Sequence, residues 1–191
     1  MHSLVRSLEQ MKVIFSVIGN FLKQFIIAMK MKEYTIRKLE KRDNERLASI
    51  MRSILKEFDA AKPGTVYYDP ATDDLYSLFR KERSVYFVAE RHGELLGGSG
   101  VYPTPGLPSG CCELVRLYLL SSARGIGLGK ELMQRCFKEA KKLGFTSMYL
   151  ETLPELDIAV GLYEKMGFEY LPGPLGNTGH FGCDLWMLKQ L

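Results

Sequence analysis

What this chain lacks narrows its chemistry first. Its four cysteines, Cys111, Cys112, Cys136 and Cys183, contain no CxxC pair, and its three histidines give no Cys/His ligand spacing. No metal is therefore expected, and the thiols read as buried side chains in a reducing, cytoplasmic setting. Lys and Arg number 26 against 22 Asp and Glu, with no long basic block, so nucleic acid is not an implied partner. Long apolar runs are missing too. The longest uncharged stretch near the N-terminus, Val13 to Leu22, falls well short of the roughly 20 residues a membrane span needs, so no stable membrane span is expected. No small-residue cleavage site follows it, which weighs against a secretory signal. Internal repeats and low-complexity segments are also absent.

What is present suits one core. The chain has 191 residues and is 46% hydrophobic, enough for one domain and too little to require two. Residues 1–30 differ from the rest: they are apolar but interrupted by Lys12, Asn20, Lys23, Gln24 and Lys30. Met11, Met29 and Met31 are alternative starts. We expect translation to begin near Met29 or Met31, the preceding extension otherwise being a loose amphipathic helix, and a single domain to occupy 31–191.

Tyr34 to Leu39 alternates as a strand. Asp43 or Asn44 then caps a helix that places Leu47, Ile50, Met51, Ile54, Leu55 and Phe58 on one face. An apolar loop, Thr65 to Pro70, precedes a short helix from Asp73 to Lys81. Ser84 to Glu90 and Leu95 to Tyr102 read as a hairpin across Arg91-His92-Gly93-Glu94, its second strand weakened by Gly97, Gly98 and Gly100 toward a bulge or a close approach. The apolar run Leu114 to Leu120 then meets Arg124-Gly125-Ile126-Gly127-Leu128-Gly129 and a helix reaching Leu143. A strand, a glycine turn and a helix start present backbone N–H groups at a positive dipole end, a seat for phosphate. Ser147 to Thr152 is a buried strand. Pro154 and Glu155 start a helix with Ile158, Ala159, Leu162, Tyr163 and Met166 on one face, and short strands follow at Phe168 to Leu171 and Cys183 to Leu188. Strand-to-helix crossovers require a parallel piece of sheet and hairpins an antiparallel one, so the expectation is an α/β fold with a mixed sheet flanked by helices.

These residues resemble a family. Leu117-Tyr118-Leu119, then Arg124-x-x-Gly127-x-Gly129, then Ala159-x-x-Leu162-Tyr163-Glu164-x-x-Gly167-Phe168 is similar, in order and separation, to the GNAT superfamily of acyl-CoA-dependent N-acetyltransferases. The resemblance covers about Tyr34 to Leu191. It implies the GNAT fold and transfer of an acetyl group from acetyl-CoA, as co-substrate, to a primary amine by direct attack in a ternary complex. The pyrophosphate cradle would fall on Arg124, Gly125, Ile126, Gly127, Leu128, Gly129 and Lys130, with Arg124 adding charge. The pantetheine arm would pair with the strand of Leu117, Tyr118 and Leu119, and the Leu119 N–H would hold the oxyanion. Tyr163 corresponds to the tyrosine beside the CoA sulfur, a phenol able to protonate a leaving thiolate. Glu113 matches the position of a carboxylate base, with Glu151 and His180 as further candidates. Two departures stand out: Leu156 replaces an Asn usual at the start of the last helix, and Ser121 replaces a proline after the central strand.

Tyr67, Tyr68 and His180, on loops, are expected to line the acceptor site with Glu151. The acceptor is a small-molecule or peptide amine, and a monomer and a homodimer are equally open. A different class, an acyl-CoA-binding regulatory module without turnover, has the same motifs. Dinucleotide binding is excluded because the glycine turn follows several strands and lacks the later acidic residue.

Overall fold

The period-two segments pair into one sheet, and the two long helical-period segments pack against it. The computed structural model describes residues 34–191, so the expectations for residues 1–30 lie outside the described residues. Seven strands run in the order β1-β2-β3-β4-β5-β7-β6. They are β1 (Thr35–Lys38), β2 (Val85–Arg91), β3 (Glu94–Tyr102), β4 (Cys111–Leu119), β5 (Ser147–Thr152), β6 (Glu169–Tyr170) and β7 (Leu185–Gln190). β4 and β5 pair in parallel, while β2–β3, β3–β4, β5–β7 and β6–β7 are antiparallel, so the expected mixed sheet is present. The helices are α1 (Asn44–Glu57), α2 (Leu75–Leu78), α3 (Leu128–Lys142) and α4 (Asp157–Lys165).

The two long helices bury opposite faces of the sheet. Leu47, Ile50, Met51, Ile54 and Leu55 of α1 join Tyr86 and Val88 of β2 in one core cluster. On α3, Leu128, Leu132, Met133, Cys136 and Ala140 are fully buried, and Cys136 meets Ser99 of β3. Ser99 points opposite to Gly98 and Gly100, as strand alternation requires. A Cβ on Gly98 would lie 2.5 Å from Tyr86 Cε1, and one on Gly100 2.7 Å from Tyr86 Cδ2. The glycines that weaken this strand therefore make room for the Tyr86 ring. Both features expected there, a bulge and a close approach, occur.

Several boundaries differ from expectation. The short helix covers only Leu75–Leu78, because Asp74 caps it through the Ser77 N–H at 3.2 Å. α4 begins at Asp157 rather than at Pro154, since Leu156 at its N-cap has the non-helical φ −88° and ψ 47°. Its apolar stripe is not a core face: only Tyr163 is buried, and Ile158 is 61% exposed. Cys183 is half-buried where the other three thiols are buried. Among the described residues no helix is long and apolar enough to cross a membrane.

Candidate active site

The parallel seam that joins the two parts of the sheet is short. Its register runs Cys111↔Ser147, Cys112↔Met148 and Glu113↔Tyr149, and past Glu113 β4 continues without β5 as a partner. A bulge accounts for the parting. Gly98 faces Tyr118 and Gly100 faces Val115, so Ser99 stands opposite two residues, Arg116 and Leu117. Such an insertion raises local twist and bends the strand. Arg116 takes the left-handed φ of +54°, a costly conformation for a side chain this size. It is held from both ends. The Tyr86 hydroxyl donates to its carbonyl at 2.9 Å, and its guanidinium donates to Thr72 Oγ1 at 3.0 Å and pairs with Asp69.

One side of the fork is a groove of about 300 Å³. Leu117, Tyr118 and Leu119 line it together with Arg124, Gly125, Gly127, Gly129 and Lys130. Two residues expected with these do not: Leu128 is buried under its own helix, and Ile126 is not a wall of the groove. Gly127 has φ +84° and a Cβ there would meet nothing within 4 Å, so the backbone, not space, requires glycine. No side chain caps α3, leaving its first-turn N–H groups without intrahelical acceptors. Ile158, Ala159 and Leu162 of α4 form the opposite wall, which explains why that stripe stays out of the core. Leu156 lies there too. Arg124 is at the groove, but its guanidinium donates to both Glu57 oxygens at 2.6 and 2.7 Å and to the Leu119 carbonyl at 2.9 Å. The turn is thus tied to the end of α1.

A smaller cavity, about 50 Å³, lies on the other side. Leu117, Tyr118 and Leu156 line both spaces, so the two meet at the bulged strand. Glu113, Glu151, Tyr163, His180 and Cys183 surround the small cavity. Glu113 is 4% exposed and accepts from the Thr104 hydroxyl. Burial pushes its pKa up to about 7. The Tyr163 hydroxyl is raised by burial, and then by Tyr118, so it stays protonated at neutral pH. Glu151 accepts from the Tyr149 hydroxyl and from Thr178 Oγ1, each at 2.7 Å. His180 Nε2 lies 3.5 Å from Asp69 Oδ2. The hydrogen bond from His180, aided by the Arg116 guanidinium, holds the Asp69 carboxyl well below the usual range.

Glu113, Glu151 and His180 each place one donor atom within 4.8 Å of the others. Both carboxylates accept hydrogen bonds from protein hydroxyls, Glu113 from Thr104 and Glu151 from Tyr149 and Thr178. Tyr67 and Tyr68 line neither cavity. Tyr68 is 60% exposed, and Tyr67 lies under Lys56, with Nζ 5.6 Å from its ring centre. Their loop enters the small cavity through Thr65 and Val66 and reaches His180 through Asp69. Asp69, Thr104, Arg116, Tyr149 and Thr178 are site residues that the sequence reading missed. Only Arg116 left a local signal, a charge inside an apolar run.

The sheet forks beside an uncapped helix start, with a buried carboxylate, Glu113, and a buried phenol, Tyr163, at the fork. Fold and site together define a group-transfer enzyme. A profile of the acetyltransferase (GNAT) family matches residues 47–168. The chain is 38% identical over 157 residues to the uncharacterized N-acetyltransferase YjgM of Escherichia coli (strain K12), across 82% of this chain and 94% of that protein. Among solved structures, a GNAT-family acetyltransferase from Staphylococcus aureus Mu50 matches with a TM-score of 0.72 at 18% identity, over 82% of this chain and 98% of the other. The PaiA N-acetyltransferase of Thermoplasma acidophilum, in complex with coenzyme A, matches at 0.65 and 23%, over 83% and 99%. The chain belongs to the GNAT acetyltransferase family, and is an acyltransferase.

Proposed function

We propose that the protein transfers an acetyl group from acetyl-CoA to a primary amine of a small molecule or peptide, by direct attack with both substrates bound. One observation carries this reading: the groove below the glycine turn meets the cavity holding Glu113 and Tyr163 at Leu117 and Tyr118. A long, thin ligand with an anionic end fits the groove. Its phosphates would lie at Gly125 to Lys130, where uncapped N–H groups and the dipole of α3 favour negative charge. Its arm would run along Leu117 to Leu119, ending beside Tyr163. The coenzyme A in the Thermoplasma relative supports that choice of ligand. Acetyl-CoA supplies the acetyl group as an activated thioester.

The amine arrives protonated and is inert until it loses a proton. Glu113, poised near neutrality, takes it; the Leu119 N–H faces the developing oxyanion; and Tyr163 protonates the departing sulfur. Glu151 and His180 border the acceptor. The four free thiols suit a reducing, cytoplasmic compartment, and residues 31–191 would form the catalytic domain.

A screen of amino acids, polyamines, aminoglycosides and peptide N-termini with thiol-release detection tests the reading. Transfer to an amine is expected, and Tyr163→Phe should lower kcat about tenfold or more while leaving acetyl-CoA affinity intact. Binding of acetyl-CoA with no acceptor in any class would instead identify a module without turnover.

A further inference from the structure

Acetylation of an ammonium group must export a proton on every turnover. The N–C bond forms and the C–S bond breaks; of the two protons the nitrogen sheds, one ends on the thiol sulfur and the other leaves the site. We infer that His180, seated by Asp69, receives this second proton from Glu113 and passes it to solvent, with Asp69 acting as a positioning residue. The inference rests on the amine N-acetyltransferase reading above.

Glu113 is poorly placed to release the proton itself. It is 4% exposed, and its Oε2 accepts from Thr104. His180 spans the gap. Its ring brings a nitrogen within 4.8 Å of oxygens of Glu113 and Glu151, while its side chain is 16% exposed. Asp69 meets the ring itself, while Thr178, tied to Glu151, holds the His180 backbone N–H. Nε2 faces Asp69 Oδ2 at 3.5 Å, the His180 N–H donates to Thr178 Oγ1 at 3.1 Å, and Thr178 in turn donates to Glu151 at 2.7 Å. Asp69 is itself immobilised by the Ala71 N–H at 2.9 Å and by Arg116, which also donates to Thr72. A carboxylate on one imidazole nitrogen orients the ring and stabilises the imidazolium that forms when the ring is protonated.

The other titratable groups around the cavity do not serve. Tyr118 and Tyr163 are held protonated by burial, and burial pushes the Cys183 thiol up to about 12, so none of them accepts a proton at neutral pH. Arg116 is a permanent cation. Glu151 already accepts from Tyr149 and Thr178. The charged groups facing His180 are therefore Glu113, Glu151 and Asp69, with Arg116 behind Asp69.

Buffer rescue separates a proton outlet from a purely structural residue. With the best acceptor from the amine screen, wild-type turnover should not change with buffer concentration. His180→Gln should lose about tenfold or more in kcat with acetyl-CoA KM unchanged, and added imidazole should restore much of it in a saturable way. Asp69→Asn should lose less and be rescued likewise. A His180→Gln enzyme with wild-type kcat, or one that melts like wild type and stays slow in imidazole, overturns the inference. Should both variants fail to fold, a wild-type kcat that climbs with buffer concentration overturns it as well. These outcomes leave amine transfer by the wild type standing; a wild type that transfers to no amine removes the reading beneath it.

Discussion

Glu113 carries two opposed requirements. As the proposed base it must ionise, and as a residue 4% exposed it is opposed in doing so by its surroundings. Its pKa of about 7 lies above the ordinary 4.5, so the folded state binds the proton more tightly than the unfolded chain does. The sign follows: between about pH 4.5 and 7 this residue makes stability fall as pH rises, and above that window the cost is constant. Glu113→Gln keeps an acceptor for Thr104 and removes the charge. Relative to wild type, it should therefore gain of order 1–3 kcal/mol as pH rises through the window. Denaturant melts at several pH values check this, and parallel curves for the two proteins would contradict it. The same variant should lose about 10²-fold or more in kcat. Wild-type activity should rise with pH through an acid limb near 7. Asp69 behaves oppositely: its depressed carboxyl adds stability above its ordinary 3.8, which is lost as pH falls toward the folded-state value.

At the scale of elements, the glycine turn and α3 were readable because their cause is local. Gly127 at φ +84°, an apolar face from Leu128 to Ala140 and a C-terminal Gly144 at φ +80° are all properties of neighbours in sequence. That locality gives a clean test. An added methyl at position 127 meets nothing, so Gly127→Ala should cost about 1–2 kcal/mol through backbone strain alone and weaken CoA binding as the turn relaxes. Calorimetry and a denaturant melt on the same variant measure both; an unchanged melt would show that the turn tolerates a side chain. The fork, in contrast, rests on contacts between residues far apart in sequence. The bulge at Arg116 depends on the Tyr86 hydroxyl, 30 residues away, and on the ring space left by Gly98 and Gly100. Asp69 reaches Arg116 across 47 residues and His180 across 111, separations that no local pattern encodes. The stripe on α4 misled for a related reason. Periodicity reports an apolar face, and a ligand groove uses one as readily as a core does.

Across the molecule, the sheet joins an antiparallel block of β2 to β4, with β1 beside β2, to a second antiparallel block of β5, β7 and β6, and the two meet along only three parallel residue pairs. Loops add further cross-links between the blocks. Asn177 N–H donates to the Pro105 carbonyl and Gly182 N–H to the Gly64 carbonyl, both at 3.0 Å, while Lys62 pairs with Glu155. On the groove side, β4 and the glycine turn face α4 across open space of about 300 Å³. A ligand filling it would contact Leu117 and Leu119 on one block and Ile158 and Leu162 beside the other, so binding energy would act directly on the weak junction. Because such a ligand binds only the folded state, CoA at about 100 times its Kd should add roughly 2.7 kcal/mol. For a chain of this length that corresponds to a rise in Tm of about 5–10 °C. Hydrogen exchange should slow most at β4 beyond Glu113 and in the first turn of α3, with β2 changing least. A Tm unmoved by saturating CoA would argue against the groove as its seat. A rise with uniform protection would leave the seat intact and show instead that the junction is no weaker than the rest of the sheet.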